Sequence, residues 1–268
     1  MRYDDNYSNS EIEDRRGDAP VYGGGGGGGG GLWALLSLGR LFGWPGILVA
    51  LVLGGGYYLW SSHQSAQPQG HAAVRGGPDE EKLVHFVGFV FEDVQKTWRQ
   101  QIPRYHDTHL VLFRRSTRSG CGVADKATGP FYCPADEKVY IDLSFYDELR
   151  QRFGAPGDFA QAYVIAHEVG HHVQKIVGKF NDRGSSIPIE LQADCIAGAW
   201  AREAEARGEL EIGDIDEALN AATQIGDDTL QKKATGHVQP ETWTHGSSAQ
   251  RVASFKTGYQ QGKAGCGL

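Results

Sequence analysis

The spacing of apolar residues predicts helices over most of the second half of the chain and only a few strands. A first helix is predicted from Asp79, as its N-cap, to Pro103. Further helices are predicted where the same spacing recurs, at 144–153, 158–177, 188–206, 215–225 and from Ser247 onward. Segments 109–113 and 138–143 are predicted strands, and the second of them alternates apolar with polar residues. This mixture predicts an α+β domain that is mainly helical and contains a small β-sheet.

The first 78 residues have a different composition and divide into three segments. Residues 1–40 are polar and acidic and then rich in glycine, with an unbroken glycine run at 23–31, so a disordered flexible arm is predicted. Residues 41–60 are uncharged and mostly apolar, roughly the 20 residues that one transmembrane helix needs. Residues 61–78 read as a polar linker, and residues 79–268 as the folded domain.

Basic residues predict an orientation for the apolar segment. Four arginines precede it, at positions 2, 15, 16 and 40, whereas only Arg75 follows it closely. Because basic flanks tend to stay in the cytoplasm, the arm is predicted to be cytoplasmic and the domain to lie on the other side. A cleaved signal peptide is the alternative. It is disfavoured because the apolar segment begins about 40 residues in and ends without an A-x-A site.

Six residues, 167–172, contain the pattern H-E-x-x-H inside a predicted helix. Residues four apart lie on one face of a helix, so His167 and His171 can bind the same metal ion. Glu168 follows the first histidine and can reach a water on that metal without being a ligand itself. His172 points about 100° away from His171 and is not expected to be a ligand.

The next predicted helix supplies carboxylates at the same spacing. Catalytic zinc takes three protein ligands and leaves one position open. Glu190 follows His171 by 19 positions, which leaves room for a loop and a helix that returns antiparallel to the first. We therefore expect Glu190 to be the third metal ligand. Asp194 lies one turn further on the same face and is expected to accept a hydrogen bond from a metal-binding histidine.

Net charge and cysteine content indicate which partners and which compartment are expected for this site. The formal net charge is −7, which gives no reason to expect a nucleic-acid partner. The four cysteines all follow the apolar segment and form no C-x-x-C pair, so a cysteine zinc site is not expected. Their even number suits disulfides in an oxidising compartment. Plausible pairs are Cys121 with Cys133 and Cys195 with Cys266, and the alternative is free buried thiols.

Several stretches together carry a family resemblance. They are AHEVGHHVQ at 166–174, ELQADC at 190–195, THGSSAQR at 244–251, TGPFYCP at 128–134 and VYIDL at 139–143. Over about residues 75–268 the chain resembles the bacterial family of putative neutral zinc metallopeptidases. The resemblance implies a membrane segment followed by a zincin-like domain with a gluzincin-like site, made of two histidines, a glutamate ligand and an aspartate behind them. Together with the basic flanks and the cysteines, the membrane segment predicts a single-pass protein of the bacterial inner membrane with its catalytic domain on the extracytoplasmic side.

These observations predict zinc-dependent hydrolysis of peptide bonds, with Glu168 as the general base. His245 is the candidate for stabilising the oxyanion, because it lies in a Gly-Ser-Ser turn before the last helix. The alternative is that His245 only orders that turn. Arg251 is expected to pair with a buried carboxylate. Segment 138–143 is the candidate edge strand along which a peptide substrate would add.

Two other functions compete with this prediction. One is a zinc-stabilised binding or scaffold protein of the cell envelope that has kept the fold without turnover. The intact Glu168 argues against it. The other is cleavage of a non-peptide amide, for instance in the cell wall. The sequence does not distinguish the substrate or the oligomeric state.

Overall fold

The computed structural model describes residues 1–3, 12–21, 76–125, 127–180 and 187–268. The glycine run and the predicted transmembrane helix at 41–60 lie outside these ranges. Within them, every helix is too short or too polar to cross a membrane. The described residues belong to a single compact unit.

Four strands form the main sheet in the order β1-β2-β6-β5. They are β1 (Ile12–Asp14), β2 (His109–Phe113), β6 (Lys138–Asp142) and β5 (Phe131–Cys133). β1, β2 and β6 run parallel, whereas β5 is antiparallel to β6. Two further strands, β3 (Ser116–Ser119) and β4 (Gly122–Asp125), form a separate antiparallel pair.

Seven α-helices make up most of the described chain. They are α1 (Pro78–Gln101), α2 (Ser144–Gln151), α3 (Asp158–Ile176), α4 (Ile187–Ala206), α5 (Asp214–Gln224), α6 (Asp227–Thr235) and α7 (Ser248–Gln261). The predicted α+β class is confirmed, and so are the predicted helices and strands within a few residues at their ends. Asp79 and Asp158 are not the N-caps. Gly77 and Gly157 hold those positions, and both aspartates lie in the first turn, where negative charge still favours the helix dipole.

Helix α3 lies at the centre of the domain, between α1 on one side and α4 and α5 on the other. Its apolar residues join one core, in which the Phe159 ring stacks on Trp200 of α4 at 5.6 Å. Gly170 lets α3 and α4 approach closely, since a Cβ there would lie 3.2 Å from the carbonyl oxygen of Ala193. This close approach brings the start of α4 next to the H-E-x-x-H segment.

Helices α4 and α7 cross at two glycines. A Cβ on Gly198 would lie 2.0 Å from the carbonyl oxygen of Phe255, and one on Gly258 would lie 1.8 Å from that of Cys195. Neither distance is possible for a real side chain, so the two backbones depend on glycine at both positions. The crossing holds Arg251 of α7 against the inner face of α4.

Both predicted disulfides are confirmed. Cys121 bonds Cys133 and Cys195 bonds Cys266, with Cα–Cα distances of 5.8 and 5.6 Å. The alternative of free buried thiols is therefore wrong. The first bridge ties the loop between β3 and β4 to β5, and the second ties the C-terminal residues to α4.

Two expectations from the sequence are wrong. Segment 138–143 is not an edge strand, because β6 pairs with β2 on one side and with β5 on the other. The edge on this side of the sheet is β5. The arm is also not disordered throughout, since β1 pairs with β2 and the side chain of Arg16 is buried. Among the described residues, two of the acidic side chains that suggested disorder instead pair with arginines, Glu13 with Arg15 and Asp14 with Arg16.

Candidate metal centre and catalytic cleft

Two successive turns of α3 place His167 and His171 side by side. Their rings are 4.9 Å apart and nearly perpendicular, and both side chains are buried. The helix forms here because alanines and β-branched residues pack its opposite faces into the core. The i, i+4 spacing therefore produces the adjacency that the sequence predicts.

Glu190, in the first turn of α4, faces both histidines. Its Oε2 lies 3.2 Å from His167 Nε2, and its Oε1 lies 3.6 Å from His171 Nε2. One ligand atom from each of the three residues falls within 4.8 Å of the others, which is close enough for all three to hold one ion. The structure thus brings together the three predicted metal ligands.

Glu190 is a buried carboxylate, so the cluster of His167, His171 and Glu190 needs a positive charge to balance it. Burial raises the pKa of Glu190, but hydrogen bonds from His167 and His171 outweigh burial and hold that pKa far below its usual range. Burial lowers the pKa of His167, but Asp194 and Glu190 outweigh it and raise that pKa to about 10. In the absence of metal, a proton on His167 balances the buried carboxylate. A divalent cation would balance it through the same nitrogen and oxygen atoms, so the donor set fits zinc.

The second ring nitrogen of both His167 and His171, Nδ1, already has a hydrogen-bond partner. His167 Nδ1 lies 2.8 Å from Asp194 Oδ1, and His171 Nδ1 lies 2.8 Å from Gln174 Oε1. Both partners are acceptors, so each Nδ1 carries the hydrogen and each Nε2 is left to bind metal. Gln174 also donates to the carbonyl oxygen of Ile189, next to Glu190. The sequence analysis did not single out Gln174, although it lies one turn after His171 on the same face.

Asp194 is fully buried and is held from three sides. Arg251 donates to both of its oxygens at 2.9 Å, and the hydroxyl of Tyr163 donates at 2.5 Å. Burial raises the pKa of Asp194, but Arg251 and His167 outweigh it and lower that pKa to about 2. The expected pairing of Arg251 with a buried carboxylate is present. Asp194 is thus a fixed anion behind His167.

The three candidate ligands open into a cavity of about 560 Å³. Glu168 lines the same cavity, and its carboxylate makes no hydrogen bond to any residue in the described ranges. A carboxylate without a committed partner can accept a proton from a water in the cavity.

His245 also lines this cavity, on a loop that Asp227 holds in place. One oxygen of Asp227 accepts the backbone N–H groups of Thr244, His245 and Gly246, at 2.8, 2.7 and 3.0 Å. The other oxygen lies 3.2 Å from His245 Nδ1. Burial raises the pKa of Asp227, but these contacts outweigh it and hold the pKa below its usual range. Asp227 is a residue that sequence reasoning missed, because an aspartate in the first turn of a short helix carries no signal of its own.

Two other groups of titratable residues are already satisfied by protein atoms. His172 has one ring nitrogen 3.0 Å from the Tyr132 hydroxyl and the other 2.8 Å from the carbonyl oxygen of His106. It faces away from the candidate ligands, as expected. A cluster that includes Asp158 and Asp214 is bound by the amino group of Met1.

The residues described above have the arrangement of a zinc hydrolase site. It consists of two histidines one turn apart, a glutamate from the following helix, and a second glutamate beside them that is not a ligand. Comparison with known proteins agrees with this class. Residues 1–267 match the family described as "Putative neutral zinc metallopeptidase", and the chain belongs to that family. No solved structure shows a significant match to this chain.

Relatives of the chain occur in distant bacteria. It is 41% identical to the uncharacterized protein YpfJ of Escherichia coli (strain K12), over 98% of this chain and 96% of YpfJ. It is also 41% identical to the uncharacterized proteins Mb2605 of Mycobacterium bovis and Rv2575 of Mycobacterium tuberculosis (strain H37Rv). Those two matches cover 70% of this chain and 71% of each relative.

Proposed function

We propose that the protein is a zinc-dependent metallopeptidase that hydrolyses peptide bonds in the cavity above α3. The observation that carries this proposal is the convergence of His167, His171 and Glu190 beside Glu168. Three protein ligands leave a fourth position for water, and Glu168 is next to the first ligand, with no hydrogen bond from its carboxylate to any described residue. Membership of the metallopeptidase family supports a peptide as the substrate.

The chain's own residues divide the reaction between them. A zinc ion held by His167, His171 and Glu190 would supply a Lewis acid and lower the pKa of a coordinated water toward neutrality. Glu168 accepts the proton of the attacking water and passes it to the leaving amine nitrogen. A ring N–H of His245 can donate a hydrogen bond to the carbonyl oxygen on which negative charge develops. Asp227 keeps His245 at the cavity by fixing its loop.

An extracytoplasmic location is part of the proposal, and the two disulfides support it. Structural disulfides persist in oxidising compartments and are rare in the cytosol. Anchoring in the inner membrane through residues 41–60 stays a prediction from the sequence. The edge strand for an extended substrate is β5 instead of β6, because Phe131 and Tyr132 of β5 line the cavity.

The proposal is tested with zinc-loaded protein on a mixed peptide library, with cleavage read by mass spectrometry. Wild type should cut, and Glu168→Gln should retain its zinc while cutting about 10²–10⁴-fold more slowly. Glu241→Gln is the matched control, since Glu241 is exposed and outside the cavity. Glu190→Gln should lose zinc.

The competing functions give different results in the same assay. Zinc-loaded wild type that cuts no peptide would overturn the peptidase proposal. A zinc-stabilised binding protein would also leave cell-wall fragments intact. Cleavage of cell-wall fragments alone would instead indicate a non-peptide amide as the substrate. Retention of zinc by Glu190→Gln would show that the third ligand is wrong.

A further inference from the structure

One wall of the cavity is apolar and lies beside Glu168. Its residues are Phe145 of α2, Phe153 just after α2, Val164 of α3, Ile225 and Leu230. The two phenylalanine rings are in contact, with centroids 6.5 Å apart. All five side chains are partly or fully buried, yet each borders open space in the cavity. The wall is therefore a preformed apolar surface that a ligand would cover.

Among the described residues, the charged and histidine side chains that border the cavity all have other roles. His167, His171 and Glu190 form the candidate metal centre, and Glu168 is the candidate base. His245 is the candidate oxyanion donor and is held by Asp227. Arg251 is only 4% exposed and is committed to Asp194 and Tyr163. Arg152 and Lys233 lie over the Phe153 ring, at 5.4 and 5.9 Å, but neither borders the cavity. A charged substrate side chain placed against the wall from the cavity would thus lose its hydration without gaining an ion pair. An apolar side chain would gain from leaving water.

The position of the wall fixes which substrate residue it receives. Val164 precedes Glu168 by one helical turn, so the two side chains share a face of α3. Glu168 returns its proton to the leaving amine, so the amine side of the scissile bond must lie on the Glu168 side of the metal centre. The substrate residue that contributes this amine points its side chain toward Val164.

We propose that the enzyme prefers peptides in which the residue on the amine side of the scissile bond is bulky and apolar, such as leucine or phenylalanine. This inference rests on the proposed peptidase function. An apolar pocket of this kind discriminates a large side chain from alanine by about tenfold to a hundredfold in kcat/KM. Aspartate and lysine at the same position should be poorer still.

The test uses the full-length, zinc-loaded protein and a peptide series that varies only this position among leucine, phenylalanine, alanine, aspartate and lysine. Leu230→Glu places a carboxylate in the wall and should lower kcat/KM for leucine peptides at least tenfold while improving lysine peptides relative to them. Ile212→Glu is the matched control. Ile212 is fully exposed and does not border the cavity, so its variant should keep the wild-type order of substrates.

The outcomes separate this inference from the function on which it rests. If zinc-loaded wild type cleaves none of the five peptides, nor any in the mixed library, the peptidase function itself fails. If it cleaves peptides but treats leucine, alanine and lysine alike, the pocket inference alone is wrong. It is also wrong if Leu230→Glu binds zinc, cleaves, and keeps the wild-type preference.

A second inference concerns the N-terminal segment and rests on a different set of contacts. Strand β1 pairs in parallel with β2, and the Arg15 backbone N–H donates to the carbonyl oxygen of Leu112 at 2.7 Å. Arg16 is 6% exposed and pairs with Glu80 and Glu81 of α1 at 2.8 and 2.9 Å. Removing this segment would take these partners from the carbonyl oxygen of Leu112 and from the carboxylates of Glu80 and Glu81.

We infer that residues 12–21 share a compartment with the catalytic domain. A strand cannot pair with a sheet on the opposite side of a bilayer, so this placement differs from the predicted cytoplasmic arm. A single membrane span between residues 21 and 76 would put them on opposite sides, so this inference excludes the single-pass anchor predicted from the sequence.

Single cysteines at two exposed alanines test this inference in intact cells. Ala19→Cys reports on the N-terminal segment, and Ala253→Cys on the domain. Both should react alike with a membrane-impermeant maleimide before and after the cells are permeabilised. Labelling of one position before permeabilisation and of the other only afterwards would place them on opposite sides and overturn the inference. The native cysteines are paired, so wild type provides the background.

Discussion

His167 Nδ1 lies 2.8 Å from Asp194 Oδ1, so a fully buried carboxylate sets which nitrogen of His167 faces the candidate metal position. This contact orients the ring and leaves Nε2 directed at Glu190. A carboxylate in this place also makes the imidazole a better metal ligand, because it stabilises positive charge on the ring.

Replacing Asp194 by asparagine should therefore weaken zinc binding by about 10- to 100-fold. An amide can present its N–H₂ group to His167 and does not fix the tautomer as a carboxylate does. The measurement is a competition titration of zinc against a chelator. Asp216→Asn, an exposed change on α5, should leave the affinity unchanged. Equal affinities for the Asp194 variant and wild type would show that the contact does not tune the site.

Arg251→Met tests the charge behind Asp194. Removing one partner of a buried ion pair leaves the other uncompensated, and such changes cost about 3–5 kcal/mol of the free energy of unfolding. The reference is Arg150→Met, which breaks an exposed pair with Asp147 and should cost no more than about 1 kcal/mol. Chemical denaturation of the zinc-free forms measures both. Similar losses for the two variants would mean that Asp194 does not depend on Arg251.

Asp227→Asn should reduce the acid sensitivity of the protein. The pKa of Asp227 is lower in the folded state than its ordinary value of 3.8, since its hydrogen bonds to the 244–246 loop outweigh burial. Its stabilising effect is therefore present above about pH 4 and is lost as the pH falls through the lower folded pKa.

Between about pH 5 and about pH 3, wild type should lose more free energy of unfolding than the Asp227→Asn variant. The same variant should lower kcat at neutral pH, because the loop that carries His245 is less well held. Asp216→Asn should follow wild type in both measurements. If the Asp227→Asn variant loses as much free energy of unfolding as wild type over this pH range, this role of Asp227 is contradicted.

Gly258→Ala should destabilise the domain strongly, by about 3 kcal/mol. The added Cβ would meet the carbonyl oxygen of Cys195 at 1.8 Å, so α4 and α7 must move apart. The helix propensity of alanine offsets only about 1 kcal/mol of this cost. Gly77→Ala has open space around it and should cost no more than about 1 kcal/mol, from the preference for glycine over alanine at an N-cap. A thermal melt compares the two, and a Gly258→Ala variant as stable as wild type would disprove the tight crossing.

Local patterns in the sequence predicted much of the fold and the centre of the site. Helical spacing identified α3 and α4, and the i, i+4 rule placed His167 with His171 and Glu190 with Asp194. These residues lie within one helix or on two successive helices, so their spacing along a single sequence is enough to predict that they are close. The pairing of Cys121 with Cys133 followed from their nearness in the sequence, and Cys195 with Cys266 was then the pair that remained.

Contacts between distant segments were not predictable on these grounds. β1 is three residues long and pairs with a strand about 100 residues away, and its acidic composition suggested disorder. The role of Asp227 depends on a loop 17 to 19 residues later that folds back onto it. β5 is also three residues long, so the order of strands, and with it the true edge, depended on tertiary packing.

The most direct test of the central claim is a zinc titration of the metal-free protein with peptide cleavage as the readout. If one ion at His167, His171 and Glu190 creates the active site, the cleavage rate should rise in proportion to added zinc and stop rising at one equivalent. The library used in that assay supplies the peptide. A protein that binds one equivalent of zinc at this site and cleaves no peptide would contradict the account.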